Sequence, residues 1–412
     1  MDGNMENKKY DVAIAGSGPA GSSSALFLAK KGYRVIVIEK RKFPRDKVCG
    51  DAVGGKSVKI LNELGLLKAY EKEEHFDING VIFSSPKGKI LKVENKNNKN
   101  GPAGYIVRRF IGDNHLFNAV KENCDVIEEA SVIDVLKDDK GNVIGLKAQT
   151  KDGVKDIYAN VVIGADGASS IVAAKTDAEK IDDEHHVIAL RQYWQGVEGM
   201  EDKIELHFMD NILPGYFWIF PLPNKMANVG IGMITKEIKK KRIDLKAELA
   251  KAINNEIVAH RFKNAKPLEQ PIGWGLPLGS KRRKGYGNGY LLVGDACCLI
   301  DPFTGEGVGN ALLSGKLASI AIEQAFKKQD FSSNTLKLYD ELLRKHLDDE
   351  LQTMYKLQRL GRHKFLLNMI IDKAIRNKDI RDFISSTLTD QEGLNYRKML
   401  TSPLFWLKVI FA

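Results

Sequence analysis

The stretch that most constrains this chain runs from Tyr10 to Lys40. It opens with an apolar run, Val12-Ala13-Ile14-Ala15, and continues as Gly16-Ser17-Gly18-Pro19-Ala20-Gly21. A small-residue helical pattern follows from Ser22 to Lys30. A second apolar run, Val35 to Ile38, then ends in Glu39 and Lys40. The order is strand, glycine turn, helix, strand, acid. Gly16 permits the tight turn, Gly18 lets a backbone approach a pyrophosphate, and Gly21 lets the helix lie close on the strand. The helix N-terminus, entered through Pro19 and Ala20, offers N–H groups and a positive dipole to phosphates. Glu39 stands where a carboxylate can accept a ribose hydroxyl, with Lys40 beside it. This stretch predicts a dinucleotide site and leaves the dinucleotide open.

The chain has 412 residues, enough for two or three modules. A formal charge of +10 points to phosphates, anionic lipid surfaces or nucleic acid. A Lys-rich solvated surface explains the same excess. The basic clusters Lys236–Arg242 and Lys281–Lys284 lack interleaved aromatics, which argues against nucleic acid and leaves lipid headgroups as partners. Cys49, Cys124, Cys297 and Cys298 have no metal-like spacing. His185-His186, after Asp182-Asp183-Glu184, matches no standard metal site, so no metal is expected. The first nine residues are too polar for a signal peptide, and no run approaches the ~20 apolar residues of a spanning helix. The expectation is a cytoplasmic protein, free or peripheral at a membrane. The apolar, aromatic end at residues 403–412 is expected either to lie at a membrane interface or to cover the core.

Along the chain, helical spacing runs from Ala52 to Leu67, and a hairpin from Val81 to Val93 turns at Pro86-Lys87-Gly88. Asn95 to Asn100 is a polar loop. Tyr105 to Arg109 reads as a strand and Asp113 to Val120 as a helix. A three-strand meander is expected at Val126–Glu128, Val132–Lys137 and Val143–Thr150. Val161 to Ile163 is a buried strand leading into Gly164-Ala165-Asp166-Gly167. Four alternating runs between Ala189 and Met233 predict an antiparallel sheet, and Leu245 to His260 a helix. Tyr290 to Val293 is again a buried strand, and Gly309 to Phe326 a helix. The remainder from Leu336 is helical and basic. The dinucleotide unit is thus interrupted, with pieces near residues 8–70, 104–175 and 286–328. A substrate unit takes residues 71–103 and 176–285, and a helical region residues 329–412. A ligand is expected at the seam.

Three separated motifs combine. The first is the Gly16 turn with Glu39. The second is Gly164-Ala165-Asp166-Gly167. The third is Gly294-Asp295-Ala296 with Asp301-Pro302-Phe303-Thr304-Gly305-Glu306-Gly307-Val308-Gly309. In this order they resemble the FAD-dependent aromatic hydroxylase superfamily, which includes prenyl reductases and halogenases. The resemblance spans about residues 8–330 and implies an α/β fold: an FAD-binding Rossmann-like domain with an inserted antiparallel-sheet substrate domain and a helical C-terminal region. It implies FAD at the Gly16 turn and Asp166-Gly167 in the cofactor site. It also implies Asp295 on the ribityl chain and the Gly305–Gly309 backbone beside the flavin pyrimidine ring. Arg109 is similar to the superfamily arginine near the FAD phosphates, with Arg108 as the neighbour that could be confused with it.

Two further stretches narrow the resemblance. The loop from Phe43 to Asp51, containing Cys49-Gly50-Asp51, and Pro214-Gly215-Tyr216-Phe217-Trp218-Ile219-Phe220-Pro221 look like motifs of the geranylgeranyl reductase family. Ser402-Pro403-Leu404-Phe405 is similar to the chain end of bacterial and archaeal members. The resemblance implies saturation of C=C bonds in a prenyl lipid or prenyl diphosphate by FAD that NAD(P)H, another reductant or an electron-donor protein reduces. Cys49, Gly50 and Asp51 are the implied catalytic loop. On a strand, Tyr216, Trp218 and Phe220 would share the face lining the lipid cavity, with Phe217 turned away. A monooxygenase or halogenase on the same fold, and a non-catalytic lipid-binding flavoprotein, are the competing expectations.

Overall fold

A computed structural model describes residues 9–94, 102–176 and 178–389. The Asn95–Asn100 loop and the apolar end at residues 402–412 lie outside the described residues. The Val/Ile-rich strands Tyr10–Ala15 and Val35–Ile38 are buried on both faces, as a parallel sheet covered by helices requires. Their sheet runs Tyr286–Gly287, Tyr290–Leu292, Gly153–Gly164, Tyr10–Ala15, Val35–Ile38, Asp125–Ile127. The central pairings are parallel. Helices Pro19–Ala29 and Val308–Lys328 pack on each other through small residues. A Cβ on Gly315 would lie 2.5 Å from the Ala20 carbonyl oxygen, and the Ser23 hydroxyl donates to Leu312 O at 2.7 Å.

The second sheet runs Lys266–Pro267, His186–Gln195, Met226–Ile234, Gly215–Leu222, Lys203–His207, Gly80–Ser84, Ile90–Glu94, with Ile272–Pro277 also on His186–Gln195. It is antiparallel except where Lys203–His207 runs parallel to Gly80–Ser84. That pairing brings the early hairpin into a sheet otherwise built about a hundred residues later. The sheet separates two apolar cores. Phe217 and Ile219 face Leu245 and Leu249 of helix Leu245–Ile253. Trp218 and Phe220 face Leu367 and Ile371 of helix Lys364–Arg376.

Several sequence expectations are corrected. Asp125–Ile127 is no part of the meander; it pairs parallel with Val35–Ile38. A left-handed turn at Glu129 (φ 55°) separates it from the meander proper, Ser131–Lys137, Val143–Thr150 and Gly153–Gly164. The strand expected up to Arg109 is Gly104–Ile106, and Arg109 opens helix Arg109–Asn123. The helix from Ala52 is instead a short strand, Ala52–Val53, then helix Gly55–Leu64, which stops at left-handed Gly65 (φ 79°). Leu245 to His260 divides into Leu245–Ile253 and Ala259–Phe262. Among the described residues, no helix is long and apolar enough to cross a membrane.

Candidate functional site

The glycine turn joins the strand end Ala15 to helix Pro19–Ala29. Gly16 has φ 94°, and a Cβ there would stand 2.6 Å from the Ala165 carbonyl oxygen. A Cβ on Gly21 would meet the Gly16 carbonyl oxygen at 1.9 Å. Both glycines are therefore required by the protein's own packing. Gly18 differs: its φ is −71°, and the nearest atom to an added Cβ is the Arg45 guanidinium, 4.0 Å away. The space beside Gly18 is open, and a cation stands at its edge. The helix beginning at Pro19 has no side-chain cap. An uncapped helix start, an open glycine and an arginine together fit a pyrophosphate.

Glu39 is buried and supports this turn from beneath, accepting from Ser17 N–H at 2.8 Å and Arg41 N–H at 2.9 Å. Each carboxylate oxygen carries a second lone pair for a ribose hydroxyl. Lys40 is exposed beside it. The second and third motifs converge here. Ala165 N–H donates to Ala15 O, and a Cβ on Gly294 would lie 2.9 Å from Ala20 Cβ. The Asp166 carboxylate accepts from Ser170 Oγ and from the N–H groups of Ile171 and Val172, so it caps the short helix Ile171–Lys175. Gly167 takes the left-handed φ of 79° behind it.

Asp295 projects from the turn after Tyr290–Leu292. One oxygen lies 3.7 Å from Lys47 Nζ, and the other 3.9 Å from where a Cβ on Gly307 would be. The Gly305–Gly309 loop is held internally. Gly305 N–H donates to Asp301 O at 3.1 Å, and Gly309 N–H to Glu306 Oε1 at 2.7 Å. Val308 then starts the long helix. Asp301, buried under the loop, accepts from Phe303 and Thr304 N–H, and burial pushes its carboxyl up to about 6. Lys56 ties this corner to the C-terminal helices, donating to Asn310 Oδ1 at 2.9 Å and to Glu350 at 2.6 Å.

The loop from Arg41 to Asp51 crosses between the two sheets, and side chains along it are anchored to different elements. Phe43 stacks on Phe117 at 4.0 Å between ring centres. Arg45 bonds Asp113 at 2.9 Å. Asp46 bonds Arg191 at 2.5 Å. Lys47 lies over the Trp274 ring at 4.7 Å and against Asp295, and burial holds its ammonium below the usual lysine range. Arg109, expected at the phosphates, is buried and clamped by both oxygens of Asp113, at 2.6 and 2.7 Å. Arg45 is the arginine beside Gly18, and sequence reasoning missed it. Its signal was position, a basic residue just past the acid that closes the first motif. Arg108 pairs with Glu74 at the surface.

At the end of this loop Cys49, Gly50 and Asp51 rest on the hairpin Gly215–Leu222/Met226–Ile234. A Cβ on Gly50 would lie 2.8 Å from the Phe220 ring. Asp51 is buried with φ 65°, rare for a residue with a side chain. Its Oδ2 accepts from Tyr193 Oη and from Asn228 Nδ2, each at 2.7 Å, and its Oδ1 from Arg109 N–H at 3.3 Å. Desolvation dominates and raises its carboxyl to about 6 against the pull of these donors. Tyr193, Asn228 and Arg191 carried no sequence signal, because isolated polar residues in strands do not declare what they face.

The apolar cavity lies on the same face of the sheet. Tyr216, Trp218, Phe208, Phe303 and Leu276 line it, and Gly305 forms part of its wall. The Tyr216 hydroxyl donates to Thr304 O in the glycine loop, so the cavity and that loop share a wall. Tyr216 and Trp218 line the cavity as their strand face predicts, while Phe220 sits beyond it, under Gly50. Cys49 stands off the cavity and reaches it through Asn228 and Trp218. Cys297 and Cys298 are buried, their thiols pushed up to about 12 and about 11. His185 and His186 bond separate partners, Ser280 and Thr235, each at 2.8 Å.

Residues 9–318 match the family model described as FAD binding domain. The chain is 32% identical over 359 residues to digeranylgeranylglycerophospholipid reductase of Thermoplasma acidophilum, covering 82% of this chain and 85% of that one. It is 31% identical to the enzyme of the same name from Methanocaldococcus jannaschii, covering 94% and 97%. A geranylgeranyl bacteriochlorophyll reductase-like structure from Thermoplasma acidophilum superposes with a TM-score of 0.83, 25% identity and coverage of 95% and 96%. A flavin-dependent brominase shares the fold, with a TM-score of 0.74, 23% identity and coverage of 94% of both chains. The chain belongs to the FAD binding domain family, within its geranylgeranyl reductase group, and is an FAD-dependent oxidoreductase.

Proposed function

We propose that this protein saturates isolated C=C bonds in the prenyl chains of a glycerophospholipid or related prenyl lipid. The carrying observation is the apolar, aromatic cavity whose wall includes Gly305 of the flavin loop and whose Tyr216 bonds that loop. Each reduction adds one hydride and one proton, so the lipid gains two hydrogens and no oxygen. Bound FAD, reduced by NAD(P)H or another donor, supplies the hydride. The protein's own residues bind and orient. Arg45 and the Pro19 helix start hold the pyrophosphate, and Glu39 takes the ribose. Asp295 takes the ribityl chain, and the Gly305–Gly309 backbone meets the pyrimidine edge. Tyr216, Trp218 and Phe208 exclude water from the alkene. The Cys49 turn is tied to the cavity wall through Asn228 and Trp218, which fixes where the double bond lies relative to that turn.

Residues 8–70, 104–175 and 286–328 act as the cofactor unit in this reading, and residues 71–103 and 176–285 as the substrate unit. A net charge of +10 supports access to the lipid from an anionic membrane surface. The test mixes dithionite-reduced holoenzyme anaerobically with a panel of prenyl lipids and weighs the products. Gains of about two mass units per double bond support the reading, since each saturation transfers one hydride and one proton. A gain of an oxygen or a halogen atom would move the protein to the monooxygenase or halogenase chemistry of its more distant structural neighbours.

A further inference from the structure

The Cys49–Gly50–Asp51 turn is held from the sheet side by one side chain more than any other. Asn228 has no solvent exposure. Its Nδ2 donates to Cys49 O and to Asp51 Oδ2, both at 2.7 Å, and its Oδ1 accepts from Trp218 Nε1 at 2.9 Å. Both donors and the oxygen of the amide are engaged, and each partner has a different place: the thiol residue, the buried acid and the cavity wall. The strand pairing explains the reach. Asn228 is opposite Phe220, and Trp218 is opposite Gly230. A Cβ on Gly230 would lie 2.1 Å from the Trp218 ring, so only glycine lets the indole lie flat across the strand toward Asn228.

Holding is needed because the turn is strained. Asp51 has φ 65°, and nonglycine residues keep that conformation only where surrounding contacts impose it. The groups facing its carboxyl are Tyr193 and Arg191 from one strand, Asp46 from its own loop, and Tyr70 from a short helix. The Arg109 N–H bonds it from the helix start. Among the described residues, only Asn228 binds both the Asp51 carboxylate and the carbonyl of the thiol residue.

We propose that Asn228 is a positioning residue for the reduction, fixing the Cys49 turn and the Trp218 cavity wall as one unit so that the alkene meets the thiol side at a set place. This rests on the prenyl-reductase reading. Two independent arms keep the failures apart. The first arm needs no substrate: hydrogen exchange of peptides spanning residues 46–54 in FAD-loaded protein, with iodoacetamide labelling of Cys49 followed by mass spectrometry. Asn228→Ala is expected to raise exchange in that segment about tenfold while flavin content stays at the wild-type level. Tyr193→Phe removes a donor to Asp51 but leaves the Cys49 carbonyl bond, so its exchange is expected to stay near wild type.

The second arm measures turnover and which double bonds are saturated. Asn228→Ala is expected to lower kcat about tenfold with KM within about twofold, and to spread reduction over more positions along the chain. Both variants remove a donor that favours the charged carboxyl, so any rate limb set by Asp51 should move to higher pH in each. If Asn228→Ala loses its flavin, Trp218→Phe, which deletes the indole donor to Asn228 together with part of the ring, replaces it in the exchange arm with the same expected direction. Unchanged exchange and labelling overturn the proposal, as does increased exchange with wild-type turnover and product pattern. A wild-type enzyme that reduces no prenyl lipid defeats the substrate reading instead, and the exchange arm still judges Asn228.

Discussion

The two sheets of this molecule build their share of the site from different materials. In the parallel half the working parts are backbone and absence: glycines, a helix start, and one acid bracing the turn. Gly16 and Gly21 lack side chains because protein atoms fill the space, whereas Gly18 lacks one with open space beside it. In the antiparallel half the working parts are buried side chains bonded to one another: Asp51, Tyr193, Asn228 and Trp218. The first half tolerates no bulk. The second depends on its partners, since a buried polar group left unpaired costs about 1–3 kcal/mol.

The sharpest break of that contrast is Gly16→Val. The side chain would collide with the Ala165 carbonyl oxygen at a left-handed φ, a cost of about 3 kcal/mol or more. The expected outcome is little folded protein and almost no bound flavin, read by soluble yield and absorbance at the flavin band. Gly18→Ala is the paired control. At φ −71° the methyl is tolerated, so stability should stay within about 1 kcal/mol. FAD affinity should nevertheless fall about tenfold or more, because the methyl occupies the open side of the turn. A titration of deflavinated protein with FAD measures this. Equal losses of stability in both variants would erase the distinction between the two glycines.

The antiparallel half is probed by pH. Burial places the Asp51 carboxyl at about 6, above its ordinary 3.8. Between those values the folded state holds a proton that the unfolded chain has released. Its contribution to stability is therefore complete in acid and is lost as pH rises through 6, at up to about 1.4 kcal/mol per pH unit. Asp301 carries a shift in the same direction and to the same region. Asp51→Asn should remove its own contribution, flattening the fall in stability between pH 4 and 6 by about one proton's worth. Denaturant unfolding of FAD-loaded protein at several pH values reads the slope. An unchanged slope would mean that the carboxyl is solvated in the folded protein.

The contrast also explains what could be read in the sequence. The dinucleotide half is encoded locally: a continuous apolar run, glycines at fixed offsets and an acid at a strand end all fall within Tyr10 to Lys40. The face alternation of Tyr216, Phe217 and Trp218 was equally local and holds. The partners of the Cys49 turn come from residues 191, 193 and 228, brought together only by sheet register, and no short window contains that register. Arg109 shows what a motif leaves out. Its position matches an expected phosphate ligand, and the structure adds that it shares Asp113 with Arg45, the arginine beside Gly18, a pairing that no motif announces. The pairing expected of Val126–Glu128 failed because a three-residue strand, here Asp125–Ile127, cannot say which neighbour it pairs with.

The smallest expected effect tests whether the two halves are joined. Tyr216 lies on the antiparallel sheet, yet its hydroxyl donates to Thr304 O in the glycine loop, and a Cβ on Gly305 would stand 3.0 Å from that hydroxyl. Tyr216→Phe keeps the ring that lines the cavity and removes only this bond. A single neutral hydrogen bond contributes about 1 kcal/mol. The loop keeps its bonds to Asp301, at 2.9 Å from Phe303 N–H and 2.7 Å from Thr304 N–H. FAD affinity should therefore fall by only about fivefold, with global stability lowered by about 1 kcal/mol. The apolar cavity loses a hydroxyl, so KM for a prenyl chain should stay the same or fall slightly. Unchanged affinity in Tyr216→Phe would show that Asp301 alone sets the loop, and that the cavity wall and the cofactor loop meet without supporting each other.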